Sequence, residues 1–198
     1  MNHEEKLIGI IKDNRGLILS SQVDQLGIPR IYLSILVKKG FIEKIERGVY
    51  LTVDAFDDEM FRIQARYRKG IYSHGTALYL HDLTDTTPNN YTMTFPNSYH
   101  VKSLKEEGIF TFYIHKSLYN LGKVELLSSF GRNISTYDIE RTIVDIVRSR
   151  NQIDNEMLNN ALKRYTVRKD NNITMLMKYA KLFKVEKIIR QFMEILLW

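Results

Sequence analysis

The chain contains no cysteine, which excludes disulfides and thiolate metal sites. That absence suits a reducing, cytoplasmic setting. No uncharged apolar run approaches the roughly 18 residues of a membrane span. The opening MNHEEKLIGIIKDN has two early glutamates and no long apolar core, so it does not read as a signal peptide. There is no Gly-rich phosphate loop and no Gly-x-Ser-x-Gly elbow. Internal repeats and low-complexity tracts are missing as well. Acids are scarce in one long span. From Arg148 to Arg190, eleven basic residues meet only Asp154, Glu156, Asp170 and Glu186.

What is there is an ordinary globular composition: 198 residues, 44% hydrophobic and 26% charged, with a net charge of +6. The length allows one large or two small domains. The positive charge favours a polyanionic partner and falls in two regions, residues 1–50 and 148–190, on either side of a slightly acidic body.

The most informative stretch is Ser20 to Thr52. Ahead of it, Leu7, Ile10 and Ile11 give one buried face to a helix over Glu4–Asn14, which Gly16 ends. Ser20 or Ser21 is placed to cap a second helix, with Val23 and Leu26 inward and Gly27 as its stop. Pro29 suits the first position of a third helix with Leu33, Leu36 and Val37 as its core face, closed by Gly40. Phe41–Ile45 and Val49–Val53 read as strands joined at Glu46-Arg47-Gly48. This is the order of a winged helix-turn-helix, whose third helix enters the DNA major groove.

Asp57 is placed to cap a linking helix through about Tyr67. Beyond it the sequence predicts strands at Tyr91–Pro96, Ile109–His115, Lys123–Phe130 and Asn133–Thr136, a helix over Tyr137–Arg148, and two or three helices from Asn155 onward. The expected fold class is α+β: an N-terminal winged helix-turn-helix over 1–53, then a mixed α+β domain over 54–198 with a helical C-terminus. The apolar Phe192–Trp198 end reads either as a core plug or as an interface.

The DNA-facing residues of such a module are Arg30, Tyr32, Ser34, Lys38 and Lys39 on the third helix. Ser20, Ser21 and Gln22 are at the start of the second, and Lys44 and Arg47 lie in the wing. Arginine bonds a guanine edge bidentately, free helix N-terminal amides bind phosphate, and wing cations grip the flanking backbone. The alternative for this module is protein contact with solvated charges. A second candidate surface is basic: Lys163, Arg164, Arg168, Lys169, Lys178, Lys181, Lys184 and Lys187. Of these, Lys181, Lys184 and Lys187 follow an i, i+3 row. That surface reads either as a solvated helical face or as an anion-binding one directed at DNA, RNA or an acidic protein.

His74 and His81 lie seven apart near Asp82 and Asp85. A metal site needs three or four convergent ligands, so helix capping or buried hydrogen bonding is the preferred reading. Asp138, Glu140 and Asp145 share a helix with Arg141, a pattern of capping and i, i+4 pairing rather than acid–base catalysis. No metal, cofactor or catalytic residue is assigned, and the chain does not read as an enzyme.

Several motifs together resemble the AbiEi antitoxins of abortive-infection (type IV) toxin–antitoxin pairs. They are Leu36-Val37-Lys38-Lys39-Gly40, Arg47-Gly48-Val49-Tyr50, Ser73-His74-x-Thr76-Ala77-Leu78-Tyr79-Leu80, Tyr91-Thr92-Met93-Thr94-Phe95-Pro96 and Ile139-Glu140-Arg141-Thr142-Ile143-Val144-Asp145. The ordered set runs through about three quarters of the chain, and nothing after Arg150 matches. The resemblance implies a regulator that represses its own operon by binding inverted repeats in double-stranded promoter DNA; the chain itself is expected to be a monomer that pairs on the DNA. It also implies a second domain that counteracts a nucleotidyltransferase-like toxin without a stable complex, for phage defence. The rival reading is a stand-alone winged-helix transcription factor whose second domain senses a ligand or dimerises.

Overall fold

The computed structural model describes residues 2–99 and 103–197. They form two compact units. The first comprises residues 1–67 with 127–133, and the second 68–126 with 134–198.

In the first unit, α1 (His3–Asp13) is opened by a capping box, Asn2 accepting from the Glu4 amide while Glu5 reaches back to the Asn2 amide. Its Leu7 and Ile11 are fully buried. There follow β1 (Leu17–Leu19), α2 (Ser20–Gln25), α3 (Ile31–Lys38), β2 (Ile42–Glu46), β3 (Val49–Thr52) and α4 (Glu59–Arg66). The strands form an antiparallel sheet in the order β1-β3-β2. Leu7, Ile11, Ile18, Val23, Ile28, Leu33, Leu36 and Ile42 make one core around the three helices.

Several sequence expectations shift here. Leu19, not a serine, is the residue before α2, and Gln22 accepts from its amide at 3.0 Å. Leu26 and Val37, expected in the core, are 40% and 37% exposed. Leu33 and Leu36 already fill the inner face of α3, and Val37 lies one residue round the helix from it. Asp58 rather than Asp57 caps α4, accepting from Phe61 at 3.0 Å; Asp57 pairs with Arg62 instead. The three-residue β1 was not expected at all.

The second unit contains β4 (Ile71–Tyr72), α5 (His74–Leu80), β5 (Thr92–Pro96), α6 (Ser103–Glu106), β6 (Phe110–Ile114), α7 (Lys116–Tyr119), β7 (Lys123–Leu127), β8 (Asn133–Tyr137), α8 (Ile139–Arg148), α9 (Asn155–Val167), α10 (Ile173–Leu182) and α11 (Glu186–Leu197). Its mixed five-stranded sheet has the order β6-β5-β4-β8-β7. β4 runs antiparallel to β5, whereas β4–β8 and β5–β6 are parallel. α8 is buried along its whole central stretch and α9–α11 close over it, so the core mixes Ile143, Val144 and Val147 with Leu158, Leu162, Leu176 and Ile189. Phe192 and Leu196 pack on that core, while Ile195 is exposed. Trp198 lies outside the described residues.

Arg141 is the polar centre of this unit and is fully buried. Its Nε donates to Asp145 at 3.0 Å and its Nη1 donates to the carbonyls of Leu118 and Leu121. The rings of Tyr137 and Phe183 lie 4.1 and 4.2 Å from the guanidinium carbon. Asp138 caps α8 by accepting from the Arg141 amide at 2.7 Å. The expected pairing and capping are both present.

Candidate nucleic-acid interface

The outward side of α3 is set by the inward one. With Leu33 and Leu36 buried, the 3.6-residue period leaves Ile31, Ser34, Val37 and Lys38 facing solvent. Ile31 is 61% exposed and is the largest apolar group on this helix to be so. Sequence reading gave it no role. The signal was present, because Ile31 falls outside the Leu33–Leu36 spacing. On a helix in the major groove, apolar groups meet thymine methyls, as arginine and lysine meet guanine.

The expected cations divide into free and engaged ones. Arg30 immediately precedes α3 and is exposed, but its Nε and Nη2 both donate to Asp24, at 2.7 and 2.5 Å. That hydrogen bonding holds the Asp24 carboxyl below its ordinary range. Lys39 is turned to α1, where it pairs with Glu4. Tyr32 is half-buried, its ring tilted against His3 at 5.5 Å, so it packs α3 on α1. Lys38 and Ser34 remain exposed on the outward row.

In the β2–β3 hairpin the turn is Arg47-Gly48, and the backbone irregularity between Lys44 and Glu46 opposes Tyr50 and Val49. Gly48 has φ +82°, the left-handed conformation the turn requires. Its carbonyl accepts from the Ser20 amide at 2.8 Å, and a Cβ there would press on Ser20 Oγ. Lys44 and Arg47 are exposed. Glu46 is paired with Arg62 and Arg66 of α4, so the acid nearest the turn is already compensated. The start of α2 is less open than expected. Gln22 is used on Leu19, Ser20 on the hairpin, and Ser21 is half-buried.

The C-terminal basic residues also divide. Arg164 pairs with Asp85, and Arg168 with Asp170 at 2.8 Å and with the His81 carbonyl. Lys163, Lys169 and Lys178 are exposed. Lys181, Lys184 and Lys187 do not form a stripe on one helix. Lys181 is in α10, Lys184 sits in the link at φ +59°, and Lys187 is in α11. They nevertheless line one hollow of about 360 Å³, together with Glu186.

His74 and His81 serve the second unit's interior. His74 is buried and stacks on Phe112 with ring centroids 3.5 Å apart. Its Nδ1 lies 3.0 Å from Ser73 Oγ and its Nε2 3.1 Å from Ser149 Oγ. Ser73 Oγ accepts from Thr94 and makes no cap bond to α5. Burial, then the positive charges of Arg148 and Arg141, pushes the His74 imidazolium well below its ordinary range. His81 Nε2 lies 2.6 Å from the Tyr137 carbonyl. Among the described residues no three His, Cys, Asp or Glu converge as metal ligands, and no helix is long and apolar enough to cross a membrane.

The α1–β3 segment is therefore a compact arrangement with one outward helix face and one cationic turn. Residues 5–53 match the family model described as "Transcriptional regulator, AbiEi antitoxin". The AbiEi match begins within α1 and ends just past β3, so it covers every element that carries the expected interface. A crystal structure of the RV2827C protein from Mycobacterium tuberculosis is similar in fold, with a TM-score of 0.54 at 12% identity over 87% of this chain and 69% of that one. No curated relative matches the chain by sequence.

Proposed function

We propose that the chain is a DNA-binding transcriptional regulator of the antitoxin type. The observation that carries this reading is the coincidence of the AbiEi match at 5–53 with the helix–strand–helix–helix–hairpin segment. Read as a winged helix-turn-helix, this segment lays α3 in the major groove. Ile31, Ser34, Val37 and Lys38 then face the bases, Arg30 joins them on leaving Asp24, and Lys44 and Arg47 grip the flanking backbone. Two copies occupy an inverted repeat upstream of the chain's own gene. The second domain, expected from residue 54 onward and formed mainly by the second compact unit, counteracts a nucleotidyltransferase-like toxin without a stable complex, and the C-terminal lysines form its anion-binding surface.

The test is a gel-shift titration of the full-length protein on the DNA upstream of its gene, with scrambled DNA as competitor. Two-step retardation that survives the competitor supports an autorepressor on paired half-sites. Equal loss to the competitor overturns it.

A second reading, a stand-alone regulator, is favoured by one observation: the family match stops at residue 53. A neighbouring nucleotidyltransferase gene whose toxicity this chain relieves decides for the antitoxin; relief that fails decides for the stand-alone regulator.

A further inference from the structure

A cavity of about 640 Å³ opens in the first unit at the open end of the β2–β3 hairpin. Ile42 pairs with Thr52 there, and the Arg47-Gly48 turn closes the other end. Its volume is in the range of small-ligand sites. Lys12 from the last turn of α1 and Arg15 just beyond it, Asp54 and Phe56 from the segment after β3, and Phe130 and Arg132 from the 127–133 segment line it.

Three chemistries meet in this cleft. The first is cationic. Neither Lys12 nor Arg15 pairs with a carboxylate among the described residues, and Arg15 Nη1 donates to the Phe130 carbonyl at 3.2 Å. Gly131 makes room for that guanidinium, since a Cβ there would collide with it. Arg132, only 7% exposed, fixes the wall by donating to the carbonyls of Phe56 and Arg15 at 3.3 and 3.0 Å and pairing with Asp58 at 3.5 Å. Its Nε is buried without a partner. The second is aromatic. The rings of Phe56 and Phe130 stack with centroids 5.9 Å apart, yet Phe56 stays 74% and Phe130 40% exposed. The third is an acceptor, the exposed Asp54 carboxylate.

We infer that this cleft binds a nucleoside monophosphate, with the phosphate at Lys12 and Arg15, the base on the Phe56–Phe130 stack, and the ribose hydroxyls donating to Asp54. A phosphate supplies the anion that two uncompensated cations attract, and a base supplies the planar π-face that exposed phenylalanines accept. The sugar between them carries donors that match a carboxylate. The site uses none of the residues assigned to DNA and stands apart from that reading.

Calorimetric titration of the full-length protein with AMP, GMP, CMP and UMP tests this, with adenosine and inorganic phosphate as partial ligands. The expected result is one equivalent of bound nucleotide, purines binding more tightly, and each partial ligand at least about tenfold weaker. Phe56→Ala and the double variant Lys12→Gln/Arg15→Gln are each expected to weaken binding by about tenfold or more. All three positions are exposed, and unchanged melting of the variants confirms that they fold. Silence from all four nucleotides at millimolar concentration overturns the proposal. So does inorganic phosphate that binds as tightly as AMP, or Phe56→Ala protein that binds AMP as the parent does.

Discussion

Arg30 grips Asp24 with two parallel hydrogen bonds, so the arginine best placed at the start of α3 is held by an acid on α2. Both residues are solvent-exposed, and an exposed pair of this kind opens readily when a better partner arrives. A guanine edge offers the same bidentate geometry as the carboxylate. If α3 reads DNA as proposed, Asp24 stands in for the base and competes with it. Asp24→Ala is expected to bind the upstream DNA about two- to tenfold more tightly, through release of the fork and loss of a negative charge near phosphates. Arg30→Ala is expected to lose roughly 5- to 150-fold in specific affinity. Gel-shift titration of both variants at one salt concentration checks the pair. Equal affinity of Asp24→Ala and parent removes Arg30 from the reading face.

Arg47 and Lys44 lead to a different signature. Phosphate contacts carry no sequence information, so Arg47→Ala is expected to weaken specific and scrambled DNA alike. The slope of log K against log salt should become shallower by about 0.9 for the lost phosphate contact. A loss confined to the specific sequence would place Arg47 on a base edge instead.

Local signals carried much of the first unit. The Leu7–Ile11 spacing, the Gly27 and Gly40 stops and the Arg47-Gly48 turn are all short-range patterns, and each element they announce is present. β1 was invisible because three residues, Leu17-Ile18-Leu19, offer no period. Only their pairing with Val49–Leu51 makes them a strand. The engagement of the cations was hidden for the same reason. Glu4 is 35 residues from Lys39 and Asp85 is 79 from Arg164, and neither pairing follows from a helical repeat. The cavity under Phe56 and Phe130 depends on segments more than seventy residues apart and left no mark in the sequence.

The Arg141–Asp145 pair makes a strong statement about stability. Both groups are buried, and burial pushes the Asp145 carboxyl up while Arg141 pulls it down. Removing one partner leaves the other charged and dry. Asp145→Ala is therefore expected to destabilise the protein by about 3–5 kcal/mol in urea unfolding. The double variant Arg141→Met/Asp145→Leu should cost less than the two single changes added together, because the fully buried guanidinium goes with its partner and Arg148, which also faces Asp145, is partly exposed. Additive costs would mean that the bonds to the Leu118 and Leu121 carbonyls matter more than the ion pair.

His74 gives the acid limb of the stability curve. It is kept neutral in the folded chain well below 6.5, whereas in the unfolded chain it takes up a proton near that value. Below about pH 6.5 the unfolded state binds the extra proton, so stability falls as the pH falls, by up to about 1.4 kcal/mol per pH unit. His81, lowered chiefly by burial, acts in the same direction. The residue to test is set by the backbone: His74 has φ +47°, which asparagine accepts more readily than most side chains. His74→Asn is expected to lower stability at neutral pH, since the stack on Phe112 and the bond toward Ser149 are lost. Its melting temperature should nevertheless depend less steeply on pH between 7 and 5 than that of the parent. The slope is what separates the buried imidazole from a merely space-filling ring. If the variant melts with the parent's pH dependence, the proton uptake belongs to another group.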